Sequence, residues 1–128
     1  ILLQEGTDVT IVATGHLVWE SLLAADELEK QGISCEIINI HTIKPLDEEI
    51  ILKSVEKTGK IVTAEEHNYL GGLGESVAGM LARKRPTPQE FVAVQDTFGE
   101  SGTPTELMHK YKIDSFAVIE AVKRIMER

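Results

Sequence analysis

Two carboxylates and an imidazole stand in a row at Glu65, Glu66 and His67, and three glycines, Gly71, Gly72 and Gly74, follow closely. A carboxylate beside an imidazole has the composition of an acid–base pair. Glycines that open a helix leave backbone N–H groups free to hold an anion. Each reading has a plainer rival. Adjacent residues on an extended segment point to opposite sides, so at most Glu65 and His67 share one, and a strand end facing solvent or an interface explains the run. The dinucleotide pattern G-x-G-x-x-G fails, because Val77 stands in its last glycine position. The glycines also suit a tight strand-to-helix turn with close helix–sheet packing. The plainer reading is preferred in both cases.

Other residues capable of chemistry fare no better alone. Gly99-Glu100-Ser101-Gly102 approaches a nucleophile elbow, but Thr103 replaces the glycine that G-x-S-x-G requires. His16, His41, His67 and His109 carry no metal-ligand spacing, and the single cysteine, Cys35, cannot build a zinc knuckle. The residues left to test are those that follow strands: Gly15 and His16, His41 to Leu46, Glu65 to Gly74, and Asp96 to Gly102. In an open α/β sheet, ligands bind outside the carboxyl ends of the strands, where strand order reverses.

The elements that must position these residues are legible in the hydrophobic pattern. Asp8–Gly15, Ile33–Ile40, Lys60–Glu66 and Glu90–Gln95 are short apolar runs, read as buried strands. Val18, Leu22, Ala25 and Leu28 recur at helical spacing, with charged residues expected on the opposite face and Gly32 as a C-terminal cap. Asp47 is the expected N-cap of a helix that stops at Gly59. A third helix, with Leu73, Val77, Met80 and Leu81 inward, ends before Pro86. Thr103-Pro104-Thr105-Glu106 is a capping box opening a short helix to about Tyr111, and Asp114 or Ser115 is expected to cap a separate last helix. Alternating strands and helices imply a parallel sheet covered on both faces, a three-layer α/β/α domain.

Composition bounds the rest. The 128 residues suit one domain, 1–128, and 42% hydrophobic with 27% charged residues is the balance of a soluble globule. A formal net charge of −8 argues against binding long phosphate backbones. One cysteine permits no internal disulfide, which points to a reducing, cytoplasmic setting. No apolar run reaches membrane-spanning length. The chain opens at Ile1 without a methionine, so a piece of a longer protein is expected.

"VTIVATG", "INIHTIKPLDEE", "IVTAEEHNYLGGLGESVA" and "VQDTFGESGTPTELMHKY", in that order, resemble the C-terminal domain of transketolases, most closely those split into N- and C-terminal sections. Related domains occur in 1-deoxyxylulose-5-phosphate synthase and in 2-oxoacid dehydrogenase β subunits, which remain alternatives. The resemblance implies a five-stranded, mostly parallel sheet with one antiparallel edge strand, of which Ile1–Leu3 would be the stub. It implies a whole enzyme that moves a two-carbon ketol unit between sugar phosphates using thiamine diphosphate and Mg2+. It implies that those groups are held by an N-terminal and a pyrimidine-binding domain, so that no cofactor, metal or catalytic residue belongs to this lobe. Partners would be those domains or subunits and a second copy, with no nucleic acid and no membrane. The edge formed by Gly15, His16, His41, Glu65, Glu66, His67, Gly71, Gly72, Gly74, Asp96, Gly99 and Ser101 would face an interface or hold a small anion. A nucleotide or small-anion regulatory module is the competing function.

Overall fold

The computed structural model describes residues 1–66, 72–94 and 103–128, except for the side chains at 107, 108, 110 and 111. Five strands, β1 (Leu2–Gln4), β2 (Val9–Ala13), β3 (Cys35–Asn39), β4 (Ile61–Glu66) and β5 (Gln89–Val94), form one sheet in the order β1-β3-β2-β4-β5. The short edge strand β1 runs antiparallel to β3, and all other pairings are parallel. The central strand is buried at every position, as expected of a strand covered on both faces.

Alternation along β2 assigns its residues to two cores. Val9, Ile11 and Ala13 pack with α1 (Leu17–Glu29) and α4 (Pro104–Met126). Val12 packs with α2 (Glu48–Thr58) and α3 (Leu73–Lys84) on the opposite face. The chain leaving β2 therefore turns to one face and the chain leaving β4 to the other, which sets a topological switch point between them.

The helix signals work by the expected physics. Asp47 accepts the Ile50 N–H, and Gly59, at φ 73°, takes the left-handed conformation that closes α2. Thr103 Oγ1 accepts the Glu106 N–H at 3.1 Å, with Pro104 in the first turn.

Two expectations need correction. The segment after Thr103 is one helix of 23 residues, not two. Asp114 is buried, and it continues the inward stripe of Val118, Ala121, Val122 and Ile125. Ser115 returns its hydroxyl to the Lys112 carbonyl at 3.0 Å. No glycine or proline interrupts residues 105–126, so two cap-type residues alone do not end the helix. In α1, the inward stripe also includes Glu20, which is fully buried and does not lie on an outer charged face.

Candidate functional site

The carboxyl ends of β2, β3 and β4 lie side by side, with Ala13 in register with Asn39 and with Ala64. Beyond them the ladder continues for one more step, Ile40 N–H to the Ala13 carbonyl at 3.0 Å and Thr14 N–H to the Ala64 carbonyl at 3.2 Å. These bonds fix where the three strand exits diverge. Between them lies a crevice of about 450 Å3, lined by Thr14, Gly15, His16, Ile40, His41, Ile43 and Glu66. Four residues expected from sequence, Gly15, His16, His41 and Glu66, thus line one hollow.

Glu65 and Glu66 point apart, as alternation requires. Glu66 is buried, and its Oε1 lies 3.6 Å from Nε2 of the exposed His16. That separation is an ion pair if the imidazole is protonated, and too long for a hydrogen bond. Gly15 adopts φ 55°, a left-handed turn that favours glycine, and a Cβ there would sit 3.8 Å from Glu66 Oε1. His41 contacts the Asn39 side chain, Nε2 to Nδ2, at 3.4 Å. An adjoining hollow is lined by Gly15, Val18, Trp19, Leu22, Asn39 and His41, with the Trp19 side 58% exposed.

Glu65 does something else. Its Oε1 accepts the Leu73 N–H at 3.1 Å and its Oε2 the Gly74 N–H at 2.6 Å. The N-terminus of α3 thus carries a carboxylate from β4 on two of its open donors. Gly74 is close-packed, since a Cβ would lie 2.7 Å from the Phe91 ring and 2.9 Å from Glu65 Oε2. The Gly74 carbonyl accepts from Gln89 Nε2 at 3.1 Å, and the same amide reaches Thr63 Oγ1. Gly72 is the N-cap of α3. His67, Gly71, Asp96, Gly99 and Ser101 lie outside the described residues.

Sequence reasoning did not find the cap made by Glu65, nor Thr14 and Trp19 on the crevice and its neighbour, whereas Ile43 falls in the segment His41 to Leu46. The cap had one signal: a carboxylate at a strand end shortly before a glycine-opened helix. Two described groups with displaced pKa values, Glu36 and Cys35, lie away from this edge. Burial pushes the Glu36 carboxyl up, but hydrogen bonds from Lys57, Ser54 and the Gly6 N–H and the Lys57 charge together outweigh it, and the net value is lowered. Burial, then the charges of Asp8 and Glu29, push the Cys35 thiol up to about 12. Among the described residues no cluster of three or more His, Cys, Asp or Glu is placed to hold a metal ion. Among them, too, no helix is long and apolar enough to cross a membrane.

Comparison with known proteins places this geometry. The family model described as "Transketolase, C-terminal domain" matches residues 1–118. A 6-deoxy-6-sulfo-D-fructose transketolase subunit from a Clostridium species is 47% identical over 99% of this chain and 39% of its own length. A putative transketolase C-terminal section from Methanocaldococcus jannaschii is 42% identical, over 98% of this chain and 38% of its own. A solved structure described as "Split gene transketolase, inactive beta4 tetramer" superposes with a TM-score of 0.84 and 42% identity, covering 99% of this chain and 42% of that one. This chain therefore spans about two fifths of such relatives. End to end in sequence and in strand order, it belongs to the transketolase family, as that family's C-terminal domain.

Proposed function

We propose that this lobe braces a transketolase that moves a two-carbon ketol unit from a ketose phosphate to an aldose phosphate, and that it performs no chemistry itself. Its strand-end edge packs against the pyrimidine-binding and N-terminal domains, whether these are joined to it or carried on a separate subunit, and the enzyme self-associates in the cytoplasm. Thiamine diphosphate and Mg2+ serve the whole enzyme. One observation supports this most: nearly all of the chain superposes on a split transketolase while accounting for only 42% of that protein.

The crevice does not fit the cofactor's diphosphate. Among its described lining residues the one carboxylate, Glu66, has the same sign of charge as the ligand, and there is no lysine or arginine. No catalytic step is assigned to it. The two α3 donors that could have met a phosphate already hold Glu65, which counts against the nucleotide-module reading. The relatives' own sugars differ, one being named for 6-deoxy-6-sulfo-D-fructose and another for apulose 4-phosphate. The proposal therefore stops at ketol transfer.

Reconstitution tests it. The remaining domains or subunit, supplied with thiamine diphosphate and Mg2+, should gain ketol-transfer activity when this lobe is present. Full activity without the lobe, or sugar turnover by the lobe alone, refutes the reading.

A further inference from the structure

We infer that the strand-end crevice is a socket for an arginine side chain presented by the rest of the enzyme, with Glu66 as its anionic floor. The inference rests on the assembly reading above and deepens it by naming the partner's chemistry.

Among the described residues the Glu66 charge is incompletely matched. The Glu66 side chain is 9% exposed, and its nearest described partner is the His16 imidazole at 3.6 Å, itself 60% exposed. A carboxylate has about four acceptor positions, and an exposed imidazole beyond hydrogen-bond reach satisfies none of them well. In the free lobe, water entering the crevice meets the remaining demand. Packing another domain over this edge expels that water. A carboxylate sealed in without compensation is strongly disfavoured, so a surface that covers an ionised Glu66 brings donors and opposite charge.

The neighbouring residues select the donor. A planar guanidinium delivers two parallel N–H groups to a carboxylate, which an ammonium cannot do. It also stacks on aromatic faces, and the half-exposed Trp19 lines the hollow next to the crevice, sharing Gly15 and His41 with it. A crevice of about 450 Å3 accommodates one long side chain with room for water. The lobe's formal net charge of −8 favours a cationic partner surface. A phosphate would meet the Glu66 charge instead and be repelled.

The decisive experiment is a structure of the assembled wild-type enzyme containing this lobe. The expected result is a guanidinium nitrogen within roughly 3.5 Å of a Glu66 carboxylate oxygen. If the edge is covered and no guanidinium lies there, this inference is overturned while the assembly reading stands. If the edge is left in solvent, both fall. A second measurement is independent of crystals: thermal unfolding of the assembled enzyme across a salt series. Glu66→Gln should start at a lower midpoint and lose less with added salt than the wild type. An unchanged midpoint and salt response would also overturn the socket.

Discussion

Glu65 on β4 holds the backbone N–H groups of Leu73 and Gly74 with both carboxylate oxygens, at 3.1 and 2.6 Å. The strand end and the helix start are thereby joined by two charge-assisted bonds. The contact is local in space and eight to nine residues long in sequence. One side chain thus ties the end of β4 to the start of α3.

Removing that side chain should leave the start of α3 uncapped. Glu65→Ala is expected to lower stability by about 1–3 kcal/mol, the range for losing a cap whose bonds are charge-assisted. Glu65→Gln should lose less, because one oxygen still accepts. Urea denaturation of the three proteins checks this, and equal midpoints would show that the cap contributes nothing.

Gly74→Ala should act on the same contact from the other side. The new methyl would lie 2.7 Å from the Phe91 ring and 2.9 Å from Glu65 Oε2. Overpacking of this kind costs roughly 1–3 kcal/mol. Phe91 is about half exposed and can swing aside, so Gly74→Ala combined with Phe91→Ala should recover part of the loss. Combined with Glu65→Ala, the costs should fall short of additive, since both remove one cap. Simple addition in a double-mutant cycle would refute the shared mechanism.

Acid should find Glu36. This carboxylate is buried and takes a hydrogen bond from the Gly6 N–H at 3.1 Å and an ion pair from Lys57. Its folded pKa is depressed, so the stability it adds is fully present above the unfolded value of about 4.3 and fades as pH falls below that toward the folded value. Between pH 6 and pH 3 the wild type should lose more stability than Glu36→Gln. Parallel pH profiles would contradict this.

Cys35 should be chemically silent while the fold is intact. It is 2% exposed and its thiol is raised to about 12, so at pH 8 almost none of it is the reactive thiolate. Disulfide-exchange reagents should label it only as fast as the sheet opens, and denaturant should accelerate labelling by orders of magnitude. Rapid labelling of the native protein would mean that β3 is not sealed.

The fold was legible because its signals are local and redundant. Buried parallel strands are apolar runs, and Asp47, Gly59 and Thr103 sit where the backbone needs a cap or a left-handed turn. The edge strand β1 is only three residues long, too short for a periodicity, and came from family resemblance alone. The split assigned near Asp114 failed because side-chain type suggested a boundary while position put that residue on the buried stripe. The site was legible only as a set of strand exits. That Glu65 serves its own helix, while Glu66 faces His16, depends on distances between β4, α3 and α1 that no spacing along the chain encodes.

Helix α4 has one more consequence. Arg124 in its last turn and Arg128, just past its C-cap, share the Glu90 carboxylate near the start of β5, at 3.0 and 2.8 Å. At 1.5 Å per residue, its 23 residues make a rod of about 34 Å. Among the described side chains of the helix, the first buried one is Asp114. Substituting Glu90 would unmoor two cations at once from the floor of the sheet.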